Sequence, residues 1–154
     1  MINIAIDLLQ YQGDLDLEAT GSAHYVYGLV RKKYLKATPE EMVRQLILLY
    51  LTKEKGYPVG RIRTEMGLKV NDMDKRSDVL VYNDAFEPIL LIECKSAKVP
   101  ISESTFLQIA NYNKTLKVPY LLLTNGPVTC CCKLAEGGQS FDFLENIPPY
   151  DKIR

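Results

Sequence analysis

The sequence lacks the features that mark membrane and secreted proteins. It contains no run of 18 or more apolar residues, so no membrane-spanning helix is expected. Residues 1–14 have no basic stretch, and an acidic residue, Asp7, comes early, which argues against a secretory signal. We therefore expect a cytoplasmic protein with no membrane partner.

An excess of charge of either sign is also missing. The chain has 19 basic and 19 acidic residues, and its formal net charge is zero. Proteins that coat nucleic acid non-specifically usually carry a strong basic excess, so this class is disfavoured. An enzyme whose site is rich in carboxylates remains compatible with a balanced charge. The basic residues form local groups instead: Arg31, Lys32, Lys33 and Lys36; Arg61, Arg63 and Lys69; Lys75 and Arg76.

Histidine is scarce, and the cysteines are not spaced as in a zinc site. The single histidine, His24, argues against a histidine-rich metal centre and against a Ser-His-Asp triad. Cys94 stands apart from the run 130–132, and three adjacent thiols cannot all face one metal. Reduced cysteines in strands of a cytosolic protein are expected. Catalysis would then depend on carboxylates, lysine and tyrosine.

A core of useful size is present, because 47% of the 154 residues are apolar, and the length suits one domain. The segment 23–36 is predicted to be a short helix. A longer helix starts at Thr38, with Pro39 at its first position and Glu41 three residues after the cap, which predicts a capping box. Gly56 is predicted to end it.

The rest of the chain predicts a mixed central β-sheet flanked by helices, which is an α/β fold. A strand over 59–70 and a loop over 71–76 come first. A hairpin follows, with strands 77–82 and 89–95 around a turn at 83–88. After a helix over 102–117, the apolar strand 119–124 should return parallel to a central strand, and 128–134 is the last clear strand. The predicted organisation is an extension 1–37, a core 38–134 and a loose tail 135–154, within a single domain.

Two charged residues interrupt the apolar strand LLIECKS at 90–96. In a hairpin that is symmetric about its turn, Tyr82 lies opposite Ile89 and Asp78 lies opposite Glu93. Directly opposed carboxylates, with Cβ atoms about 4.5–5.5 Å apart, destabilise a sheet unless a cation lies between them. Alternation places Lys95 on the same face as Glu93. One sheet face is therefore predicted to carry two carboxylates and one ammonium group.

Two carboxylates beside a main-chain carbonyl form an all-oxygen site that suits Mg²⁺ or Mn²⁺. A lysine next to the metal can hold or deprotonate a water. Attack of a metal-bound water on a phosphodiester is the reaction that such a group supports.

These motifs resemble those of a known nuclease superfamily. The pattern SD…ECK is similar to the PD-(D/E)XK signature, with Asp78, Glu93 and Lys95 in its three positions and Ser77 where the named pattern has proline. QIANY, with Gln108 and Tyr112, resembles the RecB-like QxxxY motif. Together with RKKYLKATPEEMVRQ, GYP, RSDVLVY and LLTNG, residues 25–127 resemble the N-terminal nuclease domain of the type I restriction enzyme R subunit. This resemblance implies a restriction-endonuclease-like fold.

The resemblance also implies roles for individual residues. Asp78 and Glu93 would bind Mg²⁺ or Mn²⁺, with the carbonyl of Cys94 as a third ligand. Lys95 would orient or activate the attacking water. Gln108 and Tyr112 are four residues apart, so they share one helix face, which in the family supports the active site and approaches the DNA backbone.

A glutamate from the first long helix often completes the metal shell in this family, and two candidates remain open. Glu41 fits the family's alignment, but a capping box explains it without catalysis. Glu40 is predicted to lie nearer the apolar stripe of the helix and so nearer the sheet.

The expected activity is that of a Mg²⁺-dependent endonuclease acting on DNA. Arg61, Arg63, Lys75 and Arg76 adjoin the predicted site and are the candidate DNA contacts. No GxxxxGK[ST] loop is present, so this chain is not expected to translocate DNA by itself. Partner motor, specificity or methylation subunits are expected. Two alternatives stay open: a non-catalytic DNA-binding or assembly module with the same fold, and RNA as the substrate.

Overall fold

The central feature is a six-stranded mixed sheet with helices on both faces. A computed structural model describes the backbone of residues 1–70, 73–138 and 140–154, and the side chains of these residues except 65–78. The described residues form strands and α-helices in this order: β1 Leu17–Thr20, β2 Ala23–Gly28, β3 Lys33–Lys36, α1 Pro39–Glu54, β4 Ile62–Val70, β5 Met73–Tyr82, β6 Pro88–Cys94, α2 Glu103–Leu116, β7 Tyr120–Thr124, β8 Thr129–Leu134, β9 Phe141–Leu144 and α3 Tyr150–Ile153. In addition, 3-10 helices cover Leu8–Asp14 and Val59–Arg61.

The main sheet has the strand order β4-β5-β6-β7-β8-β9. Only the central pair β6 and β7 is parallel, and every other neighbouring pair is antiparallel. The helix α2 makes the crossover between the two parallel strands, as a parallel connection requires. The predicted mixed sheet with helices on its faces, and the parallel return of the apolar strand, are therefore confirmed.

Each face of the sheet buries its own core. On one face, α1 packs against the side chains of Val79, Val81, Leu90 and Ile92. On the other face, α2 packs against Leu80 and Leu91. Because side chains alternate along a strand, this division assigns every residue of β6 to one face or the other. The α1 face and the α2 face are used in this sense below.

The helix α1 begins as predicted but is capped in a different way. The side chain of Thr38 accepts a hydrogen bond from the Glu41 N–H, with N···O 3.1 Å, and Pro39 stands at the first position. The Thr38 N–H, however, donates to the carbonyl of Lys36. The Glu41 side chain turns inward instead of completing a capping box, so that part of the prediction is wrong. Gly56, with φ +71°, follows the helix end as expected.

The segment 23–36 is not a helix. It forms β2 and β3, which pair with β1 in a separate three-stranded antiparallel sheet. The physical reason is partly local: Val26 and Gly28 are buried while their neighbours are more exposed, which is a period of two. A Cβ at Gly28 would lie 2.8 Å from a methyl of Leu35 and 3.2 Å from the Lys33 carbonyl oxygen, so a larger residue there would displace the Leu35 side chain.

Two further elements differ from the sequence-based expectation. Met73 to Arg76 belong to β5 rather than to a loop, and the predicted loop residues 71 and 72 lie outside the described residues. Residues 59–61 form a 3-10 helix before β4. The strands β4 and β5 thus make a longer hairpin than the pattern of apolar residues indicated.

The C-terminal tail is ordered by contacts with the rest of the chain, so the prediction of a loose tail is wrong. Phe141–Leu144 forms the edge strand β9 beside β8. Ile147 and Tyr150 are buried, and the hydroxyl of Tyr57 donates to the Pro148 carbonyl at 2.8 Å. Within the described residues, no helix is long and apolar enough to cross a membrane.

Candidate active site

The charged residues of LLIECKS lie at the carboxyl end of β6, on the α2 face. Leu91 belongs to the core of that face, and alternation puts Glu93 and Lys95 on the same side. The Lys95 Nζ lies 3.2 Å from the Glu93 Oε1, which confirms that the two side chains share a face. Both are partly exposed, at 27% for the Glu93 side chain and 29% for that of Lys95. The pair therefore borders solvent instead of being enclosed.

The β5–β6 hairpin has the predicted register over three pairs. Val79 lies opposite Ile92, Leu80 opposite Leu91, and Val81 opposite Leu90. A bulge between Val81 and Tyr82 then shifts the pairing, so that Tyr82 faces Pro88 instead of Ile89. That single predicted pair is wrong, and the irregularity is confined to the turn end of the hairpin.

The pairing of Asp78 with Glu93 follows if this register continues by one residue. The side chain of Asp78 lies outside the described residues, so its position beside Glu93 stays a prediction. Its neighbour Val79 is fixed in the sheet and buried on the α1 face.

The carbonyl of Cys94 points to the side of β6 where β5 lies. The N–H of Lys95 donates to the Thr124 carbonyl on β7, with N···O 2.9 Å. In a trans peptide the C=O of one residue and the N–H of the next point in opposite directions. The Cys94 carbonyl must therefore be directed away from β7 and towards the strand that carries Asp78. The Cys94 thiol itself is buried on the α1 face.

The helix α2 contributes the second wall of the site. A cavity of about 430 Å³ is lined by Glu93 and Lys95 from the sheet side, and by Thr105, Gln108, Ile109, Asn111 and Tyr112 from the helix. The helix begins with a complete capping box in which the Ser102 and Thr105 side chains bond to each other's main-chain N–H groups. The predicted pair Gln108 and Tyr112 is thus brought to the same cavity as Glu93 and Lys95.

The hydroxyl of Tyr112 is buried and has no hydrogen-bond partner among the described residues. Burial, and to a smaller extent the negative charge of Glu93, raises the pKa of Tyr112 above its ordinary value. The phenol is therefore protonated at neutral pH and presents an O–H donor. An orphaned buried donor costs about 1–3 kcal/mol, so a partner from solvent or a ligand is favoured here.

Sequence reasoning did not single out Thr105 or Asn111, which line the same cavity. Thr105 sits one helical turn before Gln108, and Asn111 one turn after it. Their positions three residues before and three residues after Gln108, on the same helix face, were the signal that could have identified them.

The structure places Glu40 and Glu41 away from this cavity. Glu41 is 7% exposed; Arg44 donates to one of its carboxylate oxygens and Gln45 to the other. Glu40 is exposed, so the expectation that it lies nearer the sheet is wrong. Both glutamates line a different cavity of about 330 Å³, together with Arg31, Leu35, Lys36, Thr38 and Arg44. A catalytic role for either remains untested.

The four candidate DNA contacts are placed unevenly. The Arg61 guanidinium stacks on the Phe86 ring, 3.9 Å from its centroid, at the turn end of the β5–β6 hairpin. Arg63 lies opposite Leu80 on the neighbouring strand, and its exposed side chain donates back to the carbonyls of Gly60 and Ile62. The side chains of Lys75 and Arg76 lie outside the described residues.

The residues present fit a hard divalent cation, although the described part does not complete a site. Among the described side chains, no group of three His, Cys, Asp or Glu is close enough to hold a metal. Glu93 supplies a partly exposed carboxylate, and the Cys94 carbonyl is directed to the β5 side. With Asp78, these are oxygen ligands, which Mg²⁺ and Mn²⁺ prefer. The cysteines do not form a joint metal site, because all four are buried and the side chains of 130–132 alternate between the two faces.

Comparison with protein families decides the affiliation. The family described as the N terminus of the type I restriction enzyme R protein matches residues 39–148, which is more than half of the chain. The chain belongs to this family. The matched range runs from the first residue of α1 to beyond β9, so it includes the whole main sheet and both walls of the cavity.

A solved structure shows the same fold as this R protein N-terminal domain. It is described as a fragment of an HsdR subunit of a type I restriction enzyme from Vibrio vulnificus YJ016, with a TM-score of 0.54 and 20% sequence identity. The match covers 74% of the present chain, which spans only 24% of the solved chain. No curated protein gives a significant match.

Proposed function

We propose that this R protein N-terminal domain is a metal-dependent endonuclease that hydrolyses phosphodiester bonds in DNA, with Mg²⁺ or Mn²⁺ as the cofactor. The observation that carries the proposal is the shared cavity, where the Glu93–Lys95 pair of the sheet meets Gln108 and Tyr112 of α2. Membership in the R protein family supports a nuclease in general.

The proposed metal ligands are the carboxylates of Asp78 and Glu93 and the carbonyl of Cys94. When bound, the cation would supply Lewis-acid activation of a water and neutralise charge on the phosphate. Glu93 would have a second task as the partner of Lys95. Its carboxylate lies 3.2 Å from the Lys95 ammonium, and this ion pair favours one direction of the lysine side chain.

Lys95 is the residue best placed to act on the attacking water or on the developing negative charge. Its ammonium group is partly exposed at the cavity, and its main chain is fixed directly after β6 by the hydrogen bond of the Lys95 N–H to the Thr124 carbonyl. Preorganised donors aimed at developing charge contribute a large share of transition-state stabilisation. We therefore assign Lys95 to the orientation of water and to charge stabilisation.

Gln108 and Tyr112 would bind rather than react. The Tyr112 hydroxyl is protonated at neutral pH, as any tyrosine is, and a phosphate oxygen or an ordered water is a suitable acceptor for it. Gln108 is exposed on the same helix face and offers an amide for the nucleic-acid backbone. The motor, specificity or methylation subunits of a restriction system are the partners that this proposal implies.

Cleavage of plasmid DNA tests the proposal. The purified chain is incubated with supercoiled DNA and Mg²⁺ or Mn²⁺, beside Lys95→Ala, Asp78→Asn and the matched control Lys98→Ala, which removes an exposed lysine three residues away. We expect nicking by the wild type and the control, and a loss of about 100-fold or more in the two site variants. Equal rates in all four proteins would refute the assignment of the site.

The same experiment separates the alternatives. Binding of DNA without cleavage, unaffected by Lys95→Ala, would instead identify a DNA-binding or assembly module. Faster cleavage of an RNA of equal sequence would change the substrate and leave the site assignment in place.

A further inference from the structure

The segment that follows Lys95 is held by a buried amide in the turn between β7 and β8. After Lys95 the chain turns at Ser96–Val99, where the Val99 N–H donates to the Ser96 carbonyl, with N···O 3.0 Å. The Asn125 Nδ2 then donates to the Val99 carbonyl at 2.9 Å. Asn125 is only 5% exposed, so the donor amide is buried, while Val99 on the acceptor side is 39% exposed.

Asn125 also organises its own turn between β7 and β8. Its Oδ1 accepts from the Val128 N–H at 2.8 Å, and its main-chain N–H donates to the Val128 carbonyl at 3.1 Å. One side chain thus bonds to two loops at once. Because a buried amide that loses a partner costs more than the bond itself contributes, both loops are held in register with Asn125.

The turn that carries Asn125 is itself fixed to the core. The Thr124 and Thr129 hydroxyls lie 2.8 Å apart and are fully buried, and the Gly126 N–H donates to the Thr124 hydroxyl at 3.1 Å. The Gly126 carbonyl accepts from the Leu8 N–H at 3.0 Å. Asn125 therefore lies in a turn that hydrogen bonds attach to the core, and not in a free loop.

We infer that Asn125 is a positioning residue for Lys95. Asn125 anchors the turn directly after Lys95, and the Thr124 carbonyl anchors the main-chain N–H of Lys95. The Lys95 main chain is therefore fixed at two places, which keeps its ammonium group close to Glu93. The inference rests on the proposed nuclease function for its catalytic consequence, but the positioning itself is a property of the fold that can be measured without cleavage.

A second buried asparagine supplies the matched control. Asn113 is 2% exposed, and its side chain also bonds to one carbonyl and one N–H, both of Val118, at 2.9 Å. Asn125→Ala and Asn113→Ala therefore remove the same chemical groups at similar burial, and only the first touches the turn after Lys95. We expect Asn125→Ala to lower kcat about 10- to 100-fold with KM within about twofold, and Asn113→Ala to leave kcat within about threefold.

The second measurement is the rate at which Lys95 is acylated by a small reagent, read by mass spectrometry, with the exposed Lys152 as internal reference. In the wild type, we expect partial burial and the ion pair with Glu93 to slow this reaction. We expect Asn125→Ala to raise the Lys95 rate about threefold or more relative to Lys152, since an unanchored turn exposes the amine. Asn113→Ala should not change it.

Asn125→Ser serves as the variant that keeps the fold if the alanine form is unstable. A serine hydroxyl can still accept from the Val128 N–H in the local turn but cannot reach the Val99 carbonyl. An accelerated Lys95 acylation in this variant supports the inference. Equal effects of the Asn125 and Asn113 substitutions, or an unchanged Lys95 rate in both Asn125 variants, would overturn it. An inactive wild type with accelerated acylation would instead count against the nuclease proposal alone.

Discussion

Removal of the Tyr112 hydroxyl should leave the fold as stable as before, or more stable, while it weakens the proposed activity. The hydroxyl is buried and lacks a partner among the described residues. Tyr57 offers a comparison on the other side of the sheet, because its buried hydroxyl donates to the Pro148 carbonyl at 2.8 Å. Both Tyr112→Phe and Tyr57→Phe remove a buried hydroxyl. The Tyr57 hydroxyl makes a hydrogen bond, whereas the Tyr112 hydroxyl has no partner among the described residues.

The expected magnitudes differ in sign. Loss of a satisfied hydrogen bond costs about 0.5–1.5 kcal/mol, so Tyr57→Phe should lower the free energy of unfolding by about 1 kcal/mol. Loss of an unsatisfied hydroxyl relieves a desolvation penalty of about 1–3 kcal/mol. The neighbouring cavity of about 430 Å³ has room for water that reduces this penalty. We therefore expect Tyr112→Phe to change the free energy of unfolding by between zero and about +1 kcal/mol.

Urea denaturation followed by circular dichroism gives both values, and plasmid cleavage gives the activity. The proposed donor role predicts that Tyr112→Phe loses about 10-fold or more in cleavage rate, because a hydrogen bond made to charged phosphate oxygens is worth about 1.5–3 kcal/mol. A destabilisation as large as that of Tyr57→Phe would show that the hydroxyl already has a partner. An unchanged cleavage rate would remove Tyr112 from the site.

Three further predictions concern stability. Burial raises the pKa of the Cys132 thiol to about 12, so this thiol loses its proton at lower pH in the unfolded chain than in the folded one. Above a pH of about 8.5, this group should therefore lower the free energy of unfolding by up to about 1.4 kcal/mol per pH unit. Cys132→Ala should make that slope shallower in denaturation measured between pH 7 and 10. Arg44→Ala removes the charged partner of the buried Glu41 carboxylate, which keeps the Gln45 amide among the described residues, and should cost about 3–5 kcal/mol. Arg44→Met combined with Glu41→Leu should cost clearly less, as a double-mutant cycle would measure. Gly126→Ala should lower the free energy of unfolding by about 1–3 kcal/mol in thermal unfolding, because φ is +100° at this residue. At Gly60 a Cβ would meet nothing within 4 Å, so an equal loss of stability in Gly60→Ala would contradict this reason.

The sequence predicted best those elements whose signals are local. Thr38, Pro39 and Gly56 fix both ends of α1, and the apolar pattern between them has the helical period. The pairing of Glu93 with Lys95 depended only on the alternation of a strand. Parallel pairing of β6 with β7 followed from the run of apolar residues that strands buried on both faces require.

The misplaced elements are those that depend on partners far along the chain. The strand β2 exists because β1, which the pattern did not reveal, pairs with it through Leu17 and Val26. The tail is ordered because the Tyr150 hydroxyl donates to the Tyr82 carbonyl, 68 residues away. Such contacts leave no periodicity in the segment itself, so propensity alone favoured a helix in one case and a loose tail in the other.

Glu41 illustrates a different limit. A glutamate three residues after an N-cap satisfies the sequence pattern of a capping box whether or not its side chain turns back. Here the side chain is drawn into the protein by Arg44 and Gln45, both of which are buried on the first turns of the same helix. The direction of the Glu41 side chain thus depends on Arg44 and Gln45, whose burial could not be predicted from the pattern of charges.

The two charges of LLIECKS are tolerated because the two faces of β6 are not buried to the same extent. On the α1 face the strand is buried to its end, since Leu90, Ile92 and Cys94 are each at most 1% exposed. On the α2 face the apolar core ends at Leu91, and the Glu93 and Lys95 side chains keep more than a quarter of their surface. A partly solvated ion pair avoids the large desolvation penalty of an enclosed one. The proposed hydrolysis needs a strand that is fixed by one buried face and that presents charged groups on a second face open to water and substrate, and β6 combines the two.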